Sequence, residues 1–258
     1  MILQLSENAI LYHGSAIAIA RATAAVAASS SVDVALHLDH ITDVELMHLA
    51  PELSFSSVMF DASKHDYADN VDLTRQAVEW GTERGIWIEA ELGEVGGKDG
   101  AHAPGVRTDP HEAAEFVRAT GVNALAVAVG SSHAMTSKSA LLDHALISRL
   151  HEALDVPLVL HGSSGVPDSD VAQAASEGMV KINIGTALNV AFGSAIRSFL
   201  LADPESVDPR RFLTVGRDAI ADTAAHYLRV VAGLNFEKLA SEGAQPGRVP
   251  LSGVGARL

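Results

Sequence analysis

The 258-residue chain contains no cysteine. That excludes disulfides and thiolate metal ligands while leaving the compartment open. Aromatic residues make up 5%, so a core has to come mainly from Ala, Val, Leu and Ile. Basic residues are scarce: 18 Lys and Arg stand against 32 Asp and Glu, a formal net charge of −14. No basic cluster interrupts the excess, and no nucleic-acid partner is expected. No apolar run reaches the ~18 residues of a membrane span. The Ala-rich run from Ala16 to Ala28 is broken by Arg21 and Thr23 and reads as a helix. The start lacks the basic residues of a signal peptide, so a cytoplasmic location is the default expectation.

What is present is alternation. Strand-like runs fall at Ile2–Leu5, Val34–Leu38, Ser57–Phe60, Ile86–Glu91, Ala124–Val129, Pro157–Leu160 and Val180–Ile184. Amphipathic stretches such as Val71–Arg84, Pro110–Thr120, Ser169–Glu177 and Pro209–Val231 lie between or after them. Repeated βα units imply a parallel sheet with helices outside it, and 258 residues suit a single barrel domain. The pattern predicts one domain over 1–232 and a Gly- and Pro-containing tail over 233–258. The strand count is seven, one short of a closed (β/α)₈ barrel, and the chain opens directly on a strand. The expectation is therefore a barrel without its first βα unit, with two exposed sheet edges.

Three histidines stand where apolar runs stop: His40, His133 and His161. At one end of a parallel sheet they would meet, and three neutral imidazoles with an open fourth position make a catalytic zinc site. Asp39, beside His40, suits a proton donor to an oxygen formed near the metal. Asp61 ends another strand; Glu89 and Glu91 share one face of a third. Inward acids need a cation or hydrogen-bond donors. Asp61 and Glu89 are read as supports around the zinc or an alternative metal position; the plainer alternatives are helix capping by Asp61 and a salt bridge at Glu91. The small-residue turns His161-Gly-Ser-Ser-Gly165 and Lys181-Ile-Asn-Ile-Gly-Thr186 follow consecutive strands. Gly162 and Gly185 would let backbone approach a phosphate, while Ser164 and Thr186 would donate hydroxyls.

These segments together resemble the class II, zinc-dependent ketose-bisphosphate aldolases, the group of fructose- and tagatose-bisphosphate aldolases. The matching stretches are LHLDH at 36–40, SVMFDAS at 57–63, IEAELGEVGG at 88–97, AVAVGSSH at 126–133, LVLHGSSG at 158–165 and KINIGTAL at 181–188. The resemblance implies an α/β TIM barrel that reversibly cleaves a phosphorylated ketose to dihydroxyacetone phosphate and an aldehyde. It implies zinc on His40, His133 and His161, and Asp39 as the proton donor and acceptor for the aldol hydroxyl. Gly162, Ser164, Asn183, Gly185 and Thr186 would bind the dihydroxyacetone phosphate part, with a monovalent cation near the phosphate. A cytoplasmic homodimer or homotetramer in glycolysis-type carbohydrate metabolism is the corresponding expectation.

The sequence departs from the family pattern in three places. A first strand and helix would precede Met1. The loop Gly96-Gly-Lys98-Asp99-Gly100 looks shortened and carries Asp99 where a proton-donating glutamate is usual. Ala134 replaces the glycine that usually follows the zinc histidine. These departures define the rival reading, a catalytically impaired zinc- and phosphate-binding homologue with a regulatory role. A metal-dependent hydrolase on the same fold is disfavoured by the phosphate-type turn at Lys181–Thr186.

Overall fold

A computed structural model describes residues 1–92, 106–132 and 135–233. Seven strands form one all-parallel sheet in sequence order: β1 (Ile2–Ser6), β2 (Ala35–Ile41), β3 (Ser57–Phe60), β4 (Trp87–Glu91), β5 (Ala124–Ala126), β6 (Leu158–Leu160) and β7 (Met179–Ile182). The helices are α1 (Glu7–His13), α2 (Ala16–Ala28), α3 (Val44–His48), α4 (Tyr67–Arg84), α5 (Pro110–Thr120), α6 (His144–Ala153), α7 (Asp168–Ser176), α8 (Thr186–Ala202) and α9 (Pro209–Val231). The βα alternation expected from the pattern is present, and so is the count of seven strands. The 1–232 domain falls almost wholly within the described residues, whereas the expected tail from 234 onward, Asp99 and His133 lie outside them.

Strand alternation separates two environments. Leu36, Leu38, Val58, Phe60, Ile88, Ala90, Leu125, Leu158 and Leu160 face outward into the main apolar core beneath the helices. Their alternate neighbours His37, Asp39, Glu89 and Glu91 are also buried, but on the inner face, where Ala124, Ala126 and Val159 form a separate small cluster. The low aromatic content fits this division, because the inner layers are filled by small and polar side chains.

Part of the acidic surplus serves the helix starts. Asp43, Asp66, Asp109, Asp143 and Asp208 each accept a backbone N–H as the N-cap of α3, α4, α5, α6 and α9. A carboxylate there meets unpaired N–H groups and the positive end of the helix dipole. The alternative reading of Asp61 as a cap is corrected by this arrangement, since Asp66 caps α4.

Among the described residues, β1 and β7 are each paired on one side only. Between them runs a groove of about 440 Å³, lined by β1, by β7 and by Tyr227, Leu228 and Val231 of α9. Val180, on the edge strand, is 67% exposed. No single helix among the described residues is long and apolar enough to cross a membrane.

α4 lies close on β4. A Cβ at Gly81 would stand 2.7 Å from both the Ile86 carbonyl oxygen and Ile88 Cγ1. Alanine gains about 1 kcal/mol of helix propensity over glycine, but the backbone oxygen cannot yield, and overpacking costs about 1–3 kcal/mol. Gly81→Ala is therefore expected to lower the urea midpoint. An unchanged or raised midpoint would show that α4 has room to move off the sheet.

Candidate active site

β2 does not stop at Leu38 as the apolar pattern suggests; it runs to Ile41 with an irregularity between Leu38 and Ile41 in its pairing with β3. His40 sits in that irregularity with φ +50°, in the left-handed region. A non-glycine residue held there costs on the order of 1–3 kcal/mol and persists only where surroundings enforce it. The bulge turns His40 toward the same opening as Asp39, which plain alternation would forbid. Strand pairing resumes beyond it, with the Asp61 N–H donating to the Ile41 carbonyl at 2.8 Å.

His40 Nδ1 lies 2.9 Å from Asp61 Oδ2, and Asp61 Oδ1 accepts from the Ser63 N–H and hydroxyl at 3.1 and 2.6 Å. Asp61 thus orients His40 and leaves Nε2 toward the mouth. Burial works to lower the His40 pKa, but the Asp61 bond together with the Asp39 and Glu91 charges holds the imidazole above its ordinary value. Burial works to raise the Asp61 pKa, but the His40 bond and charge together with the Ser63 bond hold it low.

His161 follows β6 and is fully buried. Its Nε2 is 3.2 Å from Glu89 Oε1, and its Nδ1 is 3.5 Å from Glu91 Oε2. The His40 and His161 rings meet edge to face with centroids 4.8 Å apart. Potential ligand atoms of Asp39, His40 and His161 all lie within 4.8 Å of one another. Asp39 is oriented by two amides: Gln4 Nε2 donates to Oδ2 at 3.1 Å and Asn183 Nδ2 donates to Oδ1 at 3.2 Å.

Beneath these groups, Lys181 Nζ donates to Glu89 Oε2 at 2.7 Å and to His37 Nε2 at 3.2 Å. Burial and the Lys181 charge push His37 down to about 4, leaving it neutral, so its Nδ1–H donates to Ser57 Oγ at 2.8 Å. Burial opposes ionisation of Glu89, yet His161 and Lys181 bring it to about 2. Burial likewise opposes charge on His161, yet Glu89 and Glu91 raise it to about 9.

The donor set fits a dication. Four carboxylates, Asp39, Asp61, Glu89 and Glu91, surround the two imidazoles, against the ammonium of Lys181 among the described residues. Buried negative charge of this kind demands a positive partner. The raised pKa of His161 expresses the same demand.

A cavity of about 120 Å³ opens beside the group, lined by Gln4, Asp39, His40, Ser132, Gly162, Ser164, Asn183, Gly185 and Thr186. At ~30 Å³ per liquid water that space suits a phosphoryl group. Thr186 begins α8, so the cavity faces a helix N-terminus. Ser164 Oγ accepts from the Ala187 N–H at 3.0 Å, which leaves its hydroxyl proton to be directed at a ligand. Gly162 has φ +67°, and a Cβ there would stand 2.6 Å from the Ser132 backbone. Ser131 Oγ donates to the His161 carbonyl at 2.6 Å. The chain leading to residue 133 is thus bound directly to the His161 turn.

Every sequence-singled site residue among those described converges here: Asp39, His40, Asp61, Glu89, His161, Gly162, Ser164, Asn183, Gly185 and Thr186. Gln4 and Lys181 carried no earlier assignment. Their signal was parity: Gln4 alternates with Leu3 and Leu5 of β1, which pack against the main core, and Lys181 shares the inward parity of Asn183.

Proton release tests the field of this site. With His161 raised to about 9, its metal-free imidazole holds a proton at pH 7 that a metal must displace. Zinc titration of metal-free protein at pH 7, by calorimetry in buffers of different ionisation enthalpy, is expected to release about one proton or more. Release falls as pH rises through the folded pKa values. A release of zero at pH 7 would contradict the protonated state.

Comparison with known proteins agrees with this geometry. The family model described as "Fructose-bisphosphate aldolase class-II" matches residues 1–235. A fructose-bisphosphate aldolase of Geobacillus stearothermophilus is 41% identical over 201 residues, covering 77% of this chain and 70% of that protein. The crystal structure of the YdjI aldolase from Escherichia coli K12 superposes with a TM-score of 0.76 at 31% identity, covering 89% of this chain and 81% of that one. The fructose-bisphosphate aldolase structure from Campylobacter jejuni shares the fold with a TM-score of 0.75 at 21% identity, covering 90% and 83%. The chain belongs to the class II fructose-bisphosphate aldolase family, lyases that cleave a ketose bisphosphate between two carbons.

Proposed function

We propose that the site is a zinc centre for retro-aldol cleavage of a ketose bisphosphate to dihydroxyacetone phosphate and an aldehyde. The single observation that carries this reading is the convergence of Asp39, His40 and His161 within 4.8 Å beside a phosphate-sized cavity at the α8 N-terminus. His40, His133 and His161 would hold the metal. Zinc supplies Lewis-acid stabilisation of the negative charge that bond cleavage leaves on the ketone half.

The chain's own residues do the rest. Asp39, held by Gln4 and Asn183, takes the proton of the hydroxyl on the departing aldehyde carbon and returns it in the condensation direction. Asp61 and Glu89 hold the two described imidazoles. Gly162, Ser164, Asn183, Gly185 and Thr186 receive the phosphate end. Asp99 is proposed as the loop acid that protonates the carbon, in place of a glutamate. The functional unit is residues 1–232, working as a cytoplasmic homo-oligomer.

Asp39→Asn is expected to keep one zinc per chain and lower turnover by ~10² or more. His133→Ala is expected to lose both zinc, by elemental analysis, and activity. Wild-type kinetics in the first variant, or stoichiometric zinc in the second, would overturn the corresponding role. A zinc-replete wild type that is silent in a coupled aldolase assay would favour the non-catalytic alternative.

We also propose that an eighth parallel strand seats in the groove between β1 and β7, closing the barrel. The unpaired facing edges and the apolar α9 residues above them support this. Fusing a strand-forming segment to the chain so that it can fill this groove is expected to raise Tm and activity together. No change in either counts against the strand.

A further inference from the structure

Lys181 is a buried cation with no place in the chemistry above. Its side chain is 12% exposed, it comes from the edge strand β7, and it reaches across the barrel to β4. We propose that Lys181 is a positioning residue: by clamping Glu89 it fixes the ring of His161 and so sets the metal affinity of the site. The inference rests on the zinc assignment above and names what holds one of its ligands.

The geometry is a chain of contacts. Ser57 Oγ lies 2.8 Å from His37 Nδ1, His37 Nε2 lies 3.2 Å from Lys181 Nζ, and Nζ lies 2.7 Å from Glu89 Oε2. Glu89 Oε1 then lies 3.2 Å from His161 Nε2. The members come from β3, β2, β7, β4 and the turn after β6. Both Glu89 oxygens are therefore engaged on opposite sides, one by a ligand histidine and one by Lys181. A carboxylate held at both oxygens cannot rotate about its terminal bond without breaking a charge-assisted bond in a dry interior. Its plane fixes the direction of His161 Nε2–H, which leaves Nδ1 as the nitrogen for the metal. Conserving that direction matters because ligand imidazoles are oriented by the partner on their other nitrogen.

Without Lys181, the basic ion-pair neighbour of Oε2 among the described residues is His37 Nε2 at 3.7 Å. Glu89 is then free to turn, either releasing His161 or entering the metal's surroundings itself. A lysine that merely balanced buried charge would repel a dication, so its removal would leave zinc affinity unchanged or raise it.

The test compares wild type, Lys181→Met, Glu89→Gln and the double variant, with His161→Ala as control. Zinc affinity is read by competition with a chromophoric chelator, ligand geometry by the visible spectrum of the cobalt-substituted protein, and folding by Tm. The expected result is a 10–100-fold loss of zinc affinity in Lys181→Met, the scale of outer partners of ligand histidines, with a shifted cobalt band. The double variant should bind zinc no more weakly than Glu89→Gln alone, because Lys181 acts through Glu89. Wild-type affinity and spectrum in folded Lys181→Met would overturn the inference. Should Lys181→Met not fold, the charge-balanced double variant decides: equality with Glu89→Gln supports the relay, and a further drop overturns it. Stoichiometric zinc in His161→Ala would instead remove the zinc assignment, and the inference with it.

Discussion

Burying two glutamates on one face of a parallel strand creates a demand for positive charge, and most of the barrel interior answers it. Glu89 and Glu91 point inward from β4 and are almost inaccessible to water. Leaving such charges unpaired in a low-dielectric interior costs several kcal/mol each. His161 lies against both, Lys181 reaches Glu89 from the far side, and His37 steadies Lys181. The same excess of carboxylate makes the mouth a good place for a dication. Polar residues at the centre of a sheet are thus held there by one another's charges.

The second determinant is the bulge in β2. In a regular strand Asp39 and His40 would face opposite sides, one toward the substrate and the other into the helical layer. The left-handed backbone at His40 brings both to one opening, and Asp61 locks the ring in place. Two side chains at the same opening can then be sequence neighbours. Strain and hydrogen bonding act together here: the bond to Asp61 helps hold a conformation that histidine otherwise avoids.

Much of this was legible in the sequence, for reasons that differ by element. Helices α2, α5 and α9 match the amphipathic pattern residue for residue, because local periodicity and caps define them. The turn after β6 was legible because Gly162 marks a close backbone approach to Ser132, whereas Gly185 has open space where a Cβ would stand. The extent of β2 was not: apolarity stops at Leu38, while hydrogen bonding continues through a polar stretch to Ile41. Gln4 and Lys181 carried no motif of their own. Their meaning depends on partners across the barrel, as with the contact between Lys181 and His37, 144 positions apart. Asp61 was ambiguous for a related reason, since a strand-end aspartate serves equally well as cap or as orienting group until a neighbouring strand is placed.

The strictly sequential strand order bears on how the protein comes into being. Each strand pairs with the one made just before it, so successive βα units can dock as the chain emerges from the ribosome. The chemistry does not assemble that way. Asp39 and His40 emerge early, and Glu89 and Glu91 follow. Their compensating groups His161 and Lys181 belong to the last two strand units. A nascent chain ending before β6 therefore holds these acids without His161 or Lys181. Completing the charge balance of the inner face is thereby a late event, tied to completion of synthesis rather than to early collapse.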